Sequence, residues 1–132
     1  MSPGRCFWTA LFTAAISGPG SVLAADAVIV VQRSPLAGFR HYDGAGFWRD
    51  MKTGDRLELV REPGNPYDSG AIRVEWRGRT LGYVPRRDNA AVARQLDRGT
   101  PLEARIAALR ENRNRSVRIE FEVVAPLPVA SH

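Results

Sequence analysis

The chain has 132 residues, of which 44% are hydrophobic and 25% charged, so it is long enough for one globular domain with a single core and too short for a multidomain enzyme. The formal net charge is +5, and the basic side chains are almost all arginine, with Lys52 the one lysine. Because guanidinium groups pair with phosphate and stack on bases, this bias indicates anionic partners, although a GC-rich genome produces the same composition.

The first 24 residues have the pattern of a signal peptide. Arg5 supplies a weak positive charge, residues 6–16 are apolar, and residues 17–20 break the run before a small-residue stretch that ends near Ala24. The apolar run is too short to span a bilayer, so we predict a periplasmic or secreted protein that has no membrane span after cleavage. The alternatives are an uncleaved anchor and a wrongly assigned start codon. Cleavage would remove the single cysteine and with it any disulfide or thiol chemistry.

Short elements follow in the first half of the mature chain. AVIVVQ predicts a β-branched strand that ends at a break over residues 34–38. Asp43 is predicted to cap a helical turn that places Phe47, Trp48 and Met51 on one face. LELVR then predicts a second strand.

The stretch from Glu62 to Arg86 predicts a proline-braced loop followed by a hairpin. Two prolines bracket Asn65, and NPYD is predicted to be a turn held by Asx-type bonds from Asn65 and Asp68. IRVEW alternates apolar and polar residues, as a half-buried strand does. Gly78 turns the chain, and TLGYV returns it.

The second half predicts one helix and two strands. Residues 86–99 form an amphipathic helix with Asp88 as its cap. LEARIAAL is a strand predicted to bury Leu102, Ala104, Ile106 and Ala108. After a polar turn, SVRIEFEVV is a strand with Val117, Ile119, Phe121 and Val123 inward, and residues 125–132 form a flexible tail.

About six short strands and one amphipathic α-helix predict a mainly β fold. Alternating burial and frequent turn residues are typical of a small closed or nearly closed antiparallel β-barrel of the OB type.

Positive charge concentrates in the second half of the chain. Residues 25–85 hold nine basic and eight acidic side chains, whereas residues 86–118 hold nine and four. This excess predicts a basic patch for phosphate groups, although a solvated arginine-rich face explains it equally. The patch is assigned to Arg86, Arg87, Arg113 and Arg115.

The sequence lacks the motifs of the common enzyme and metal sites, which largely excludes enzyme chemistry. There is no GxxxxGK[ST] loop for a nucleoside triphosphate, and the histidines are His41 and His132 alone. With no cysteine in the mature chain, we expect no zinc site and no cofactor. Glu62 and Asp68 flank the loop, where turn stabilisation accounts for both. We therefore predict that the chain is not an enzyme.

EPGNPYDSGAIRVEWRGRTLGYVPR, with the earlier GFRHY and the later NAAVARQLDRGTPLEARI, resembles the HIRAN domain family. The resemblance covers residues 28–124 and implies a single HIRAN-like domain over residues 25–124, with a small β-barrel related to OB-type folds. The family usually has Asn where this chain has Gly70, a difference that affects one turn contact. HIRAN domains are accessory modules of fork-remodelling helicase-like ATPases and nucleases, and small free-standing bacterial proteins.

The resemblance implies that the domain captures the 3′ end of single-stranded DNA. Arg40 is implied to hold a phosphate, Tyr42 and Tyr67 to offer stacking faces, and Asp68 to accept a bond from a terminal sugar hydroxyl. The full implied site is Arg40, His41, Tyr42, Asn65, Tyr67, Asp68 and Tyr83.

Four of these residues have a second interpretation. His41 either stacks or covers the barrel, and Asn65 either shapes the loop or contacts the ligand. Tyr67 is either a stacking face or a loop anchor packed on the barrel, and Tyr83 either packs in the core or contacts the ligand.

Two functions of different classes remain. The first is a non-catalytic nucleic-acid-binding module whose partner is single-stranded DNA or another polyanion. The second is an envelope adaptor that binds a protein or an anionic envelope polymer through the arginine-rich face. The predicted export signal favours the second, because an exported protein meets no replication fork.

Overall fold

The computed structural model describes residues 27–113 and 117–127. Two tight 3₁₀ segments follow the first strand, and a third precedes the single α-helix of the described residues, α1. In chain order the elements are β1 (Val28–Pro35), 3₁₀ segments at Phe39–His41 and Asp43–Asp50, β2 (Arg56–Arg61), β3 (Ile72–Trp76), β4 (Arg79–Tyr83), a 3₁₀ segment at Arg86–Asp88, α1 (Ala90–Asp97), β5 (Glu103–Glu111) and β6 (Val117–Pro126).

The six strands form one antiparallel sheet in the order β1-β6-β5-β2-β3-β4. Its two edge strands approach each other just beyond the end of β1, where Ala37 forms an isolated antiparallel bridge with Tyr83 of β4. The Ala37 amide donates to the Tyr83 carbonyl over 2.9 Å, and the Tyr83 amide donates back over 3.0 Å. One bridge leaves the barrel nearly closed, which confirms the predicted fold class.

Alternating side chains of the strands fill the barrel interior. Ile72, Val74 and Trp76 of β3 are buried, as the period-2 pattern predicts, and Ile119 and Phe121 of β6 lie in the same core. The burial of apolar area is the main stabilising contribution to such a fold.

The predicted inward position of Ala108 is wrong. Ala108 is only half-buried, and Leu109 packs against the core instead. The pairing of β5 with β6 shifts register between Ile106 and Ala108, so that Leu109 lies opposite the buried Ile119. A β-bulge adds one residue and reverses the alternation, which a simple period-2 pattern cannot show.

β1 is longer than predicted. The predicted break begins at Ser34, but pairing with β6 continues to Pro35, opposite Glu120. Proline is tolerated there because β1 is an edge strand and Pro35 is its last residue.

Both predicted helix caps are wrong. The helix starts later than residue 86, at Ala90, and its N-cap is Asn89 rather than Asp88. The Asp88 carboxylate instead accepts a long hydrogen bond of 3.5 Å from the Ser34 hydroxyl. Asp43 is the first residue of its 3₁₀ segment, whose cap position is Tyr42, and no side chain caps it. The local sequence predicts both aspartates to be helix caps, but neither side chain caps a helix in the folded protein. For Asp88 the reason is its hydrogen bond to a residue distant in the chain.

Ala27 and Leu127 belong to a separate unit of the chain, joined by a hydrogen bond of 3.1 Å from the Leu127 amide to the Ala27 carbonyl. The predicted signal peptide, the polar turn residues 114–116 and residues 128–132 lie outside the described residues. Within the described ranges, every helix is too short or too polar to cross a bilayer. The same ranges contain no group of three or more His, Cys, Asp or Glu residues placed to hold a metal ion.

Candidate functional site

The loop between β2 and β3 is held by bonds within itself. The Tyr67 amide donates to Asn65 Oδ1 over 2.9 Å, and the Gly70 amide donates to Asp68 Oδ1 over the same distance. The Glu62 amide donates to the Ala71 carbonyl over 3.0 Å and closes the loop base. Both predicted Asx turns are therefore present, and the NPYD segment is a rigid platform.

Glu62 is the hub that joins this loop to the sheet. Its Oε1 accepts hydrogen bonds from the Asn65 side-chain amide over 3.0 Å and from the Tyr83 hydroxyl over 2.8 Å. Its Oε2 pairs with the guanidinium of Arg73, which also donates to Glu75 over 2.8 Å. Sequence reasoning assigned Glu62 to the turn alone, because its partners 11 and 21 residues away are brought to it by the β3–β4 hairpin.

These bonds control the ionisation of Glu62. Partial burial by itself would raise the pKa of this carboxyl, but the hydrogen bonds from Asn65, Tyr83 and Arg73 favour the charged form and hold the pKa below its usual value. Burial and the bond to Glu62 raise the pKa of Tyr83, so its hydroxyl keeps its proton and remains a donor.

Tyr42 and Tyr83 form an aromatic wall beside the loop. Their ring centroids lie 5.8 Å apart at an interplanar angle of 53°, and both side chains are half-buried. Since the Tyr83 hydroxyl is bonded to Glu62, this residue is a support of the loop and not a core side chain.

Tyr67 projects from the loop into solvent. It is 84% exposed, which excludes its interpretation as an anchor packed on the barrel. Exposed large aromatic residues on a rigid loop are unusual, because burying them is favourable, so this ring has the properties of a contact residue. Asn65 uses both ends of its side chain on Tyr67 and Glu62, which makes it a loop-shaping residue.

Asp68 connects the loop to the start of α1. Its Oδ2 accepts a hydrogen bond of 2.8 Å from the side-chain amide of Asn89, which is 4% exposed. A Cβ atom at Gly70 would lie 3.0 Å from Asn89 Oδ1, so glycine at this position leaves room for that side chain. Each Asp68 oxygen accepts one bond here and retains a second acceptor position for a ligand.

Arg40 and His41 line a separate groove of about 870 Å³, between the first 3₁₀ segments and the β5–β6 ribbon. Both side chains are exposed, and Arg40 Nε donates to His41 Nε2 over 3.5 Å. His41 therefore forms part of a rim and does not cover the barrel. The sequence offered no signal for the groove, because its walls come from segments far apart in the chain.

The predicted basic patch is only partly within the described residues. Arg86, Arg87 and Arg113 are exposed, and Arg87 lies 3.9 Å from the Asp88 carboxylate. Arg115 lies outside the described residues.

The structure thus divides the predicted site into two parts. Asn65 and Tyr83 are joined through Glu62, and Tyr42 lies against Tyr83. Tyr67 and Asp68 are on the same loop as Asn65. Arg40 and His41 belong to the neighbouring groove.

Two known proteins have sequences similar to part of this chain. Helicase-like transcription factor from Mus musculus is 36% identical over 66 residues, which are 49% of this chain and 6% of that protein. A putative SWI/SNF-related matrix-associated actin-dependent regulator of chromatin subfamily A member 3-like 1 from Arabidopsis thaliana is 33% identical over 99 residues, 73% of this chain and 11% of that protein. The chain therefore spans about a tenth or less of the length of these relatives.

Two solved structures are similar to the domain. A crystal structure of a Lactobacillus plantarum protein has a TM-score of 0.60 and 25% identity, with 74% of this chain and 96% of that one covered. The crystal structure of the HIRAN domain of human HLTF has a TM-score of 0.57 and 22% identity, with 74% and 77% covered. The HIRAN domain family model matches residues 29–128. This chain belongs to the HIRAN domain family.

Proposed function

We propose that this domain is a non-catalytic nucleic-acid-binding module that holds the 3′ end of single-stranded DNA. The observation that carries the proposal is the exposed ring of Tyr67 on a hydrogen-bonded loop whose next residue, Asp68, keeps free acceptor positions. Membership of the HIRAN family supports the same function.

Each part of the loop has a distinct role in this proposal. Tyr67 stacks on a base, and every base has a suitable π face, so the contact is independent of sequence. Asp68 accepts a hydrogen bond from the terminal 3′-hydroxyl, and Arg40 of the neighbouring groove binds a phosphate. Because Asn65 and Glu62 hold the loop before the ligand arrives, little conformational entropy is lost on binding.

End recognition is tested with oligonucleotides that carry either a 3′-hydroxyl or a 3′-phosphate. We expect fluorescence anisotropy to show binding about tenfold tighter to the hydroxyl form, because a terminal phosphate would replace a donor with negative charge beside Asp68. Equal, weak binding to both ends that disappears at moderate salt would reduce the interaction to non-specific electrostatics.

Tyr67→Ala is expected to weaken binding of the 3′-hydroxyl oligonucleotide by about tenfold, since one base–aromatic stack contributes about 1–3 kcal/mol. The melting temperature should be unchanged, because a residue that is 84% exposed buries little surface in the fold. Tyr67→Phe retains the ring and should bind as wild type does. Wild-type affinity of the alanine variant in anisotropy would remove Tyr67 from the site.

The envelope adaptor, predicted to bind through the arginine-rich face, is kept as a second candidate because β1 also carries an exposed apolar edge suited to a protein partner. Ile29, Val30 and Val31 are 50%, 47% and 41% exposed on this edge strand. Its premise is a periplasmic or secreted location, which a reporter fused to residues 1–30 tests directly. Retention of the reporter in the cytoplasm would remove that premise and leave the nucleic-acid module.

A further inference from the structure

The groove that contains Arg40 has a composition unlike that of the loop. Its lining includes Leu36, Trp48 and Ile119 together with Arg40, Arg110 and Arg118. Glu120 is its one carboxylate, so three arginines face a single negative charge and the groove is positive. A partly apolar surface with arginines around it suits a ligand that has both aromatic bases and phosphates.

Two of these arginines lie directly opposite each other on adjacent strands. Arg110 of β5 and Arg118 of β6 are direct partners in the antiparallel register. Like charges at opposite positions on neighbouring strands are destabilising, and the arrangement becomes favourable when an anion lies between them.

Little negative charge within the fold offsets this pair. Arg110 lies 3.6 Å from Glu120, but the same carboxylate also accepts from Arg33 over 3.3 Å. Arg118 forms no ion pair or hydrogen bond through its side chain among residues 27–113 and 117–127, and Arg40 has no acidic partner there. At least two guanidinium groups are therefore available to phosphates.

The groove is connected to the aromatic wall of the loop. Phe39 lines the groove, and its carbonyl accepts a hydrogen bond of 3.3 Å from the Tyr42 amide. Tyr42 in turn lies against Tyr83, whose hydroxyl is bonded to the loop hub Glu62. The loop, the aromatic wall and the groove are thus connected through direct contacts.

We propose that this groove is the path for the nucleotides on the 5′ side of the captured end, with Arg110 and Arg118 as phosphate contacts. The inference rests on the proposed capture of a 3′ end and extends it from one terminal nucleotide to a strand of several. Trp48 and the apolar lining accommodate bases or sugars, and no base-specific readout is required.

The test compares a dinucleotide with an octanucleotide, both with a free 3′-hydroxyl, in Arg118→Ala and in the matched control Arg98→Ala. Arg98 is an exposed arginine beyond α1 that does not line the groove. We expect Arg118→Ala to weaken octanucleotide binding about fivefold and to lower the salt slope by about one, with dinucleotide binding unchanged. Arg98→Ala should change octanucleotide binding less than twofold.

Removing one of two facing arginines should leave the melting temperature of Arg118→Ala unchanged or slightly higher, so a folding defect is separable from lost binding. Equal octanucleotide affinities of the two variants, or a wild-type octanucleotide that binds no more tightly than the dinucleotide, would overturn the groove proposal. The dinucleotide with a 3′-phosphate tests end capture separately, since its result does not depend on the groove.

Discussion

Gly82→Ala is expected to destabilise the domain by about 4 kcal/mol, a large part of the stability of a small fold. Gly82 has φ of 153°, a backbone conformation that side chains disfavour. A Cβ atom there would overlap the carbonyl oxygen of Ala37 and lie 3.2 Å from Leu36 Cγ. The substitution therefore acts on the point where β4 meets the chain after β1. Urea denaturation monitored by circular dichroism measures the effect.

Gly46→Ala is the matched control, because a Cβ atom at Gly46 has nothing within 4 Å. We expect that variant to change the free energy of unfolding by less than about 1 kcal/mol. If Gly82→Ala has the same urea midpoint as Gly46→Ala, the close approach of Gly82 to Ala37 does not limit the stability of the domain.

Glu62→Ala is expected to destabilise the domain by about 2 kcal/mol and to remove preference for the 3′-hydroxyl end. The change leaves the side chains of Asn65, Tyr83 and Arg73 without their shared acceptor. The side chains of Glu62 and Arg73 are 21% and 30% exposed, so water can replace some of the lost hydrogen bonds. The loss of stability is therefore smaller than for a fully buried ion pair. Urea denaturation and end-specific anisotropy give the two readouts.

Glu58→Ala is the control for this change. It removes an exposed carboxylate from β2, the strand that leads into the loop, and we expect the free energy of unfolding to change by less than about 0.5 kcal/mol. Loop anchoring by Glu62 would be refuted by equal stability and unchanged end preference in the two variants.

Glu62 should also make stability depend on pH in the acidic range. Its pKa is lowered in the folded state, so the folded protein binds this proton less readily than the unfolded chain does. The stabilisation is therefore present above the unfolded pKa of about 4.3 and is lost as the pH falls through the lower folded pKa. We expect the stability difference between wild type and Glu62→Gln, measured in urea, to be smaller at pH 3 than at pH 7. A constant difference would show that the charge of Glu62 contributes nothing.

Local pattern was sufficient in strands that carry no inserted residue themselves, where the bulges of the pairing lie on the partner strand. The alternation in β3 and β6 follows the period of two, and both Asx turns of the loop follow from Asn65 and Asp68. The pattern failed in β5, where the bulge before Ala108 changes which side chains face inward. It also failed at α1, because the side chain of Asn89 turns to Asp68 and no side chain caps the helix.

The residues implied by family resemblance were divided by the structure into two neighbouring surfaces. Tyr67 and Asp68 lie on the loop, and Arg40 lies in the groove. The exposure of Tyr67 is known only from the tertiary structure. The sequence places an aromatic residue in a loop, and such a ring can either pack on the barrel or project into solvent.

By itself the sequence determined a closed or nearly closed β-barrel, one amphipathic α-helix and the proline-braced loop, because these depend on the periodicity and turn chemistry of neighbouring residues. Only the tertiary structure decided that Glu62 is the hub of the loop and that Arg110 and Arg118 are direct partners on neighbouring strands that line the groove. Those relationships join residues 8 to 21 positions apart, and strand register, including its bulges, sets them.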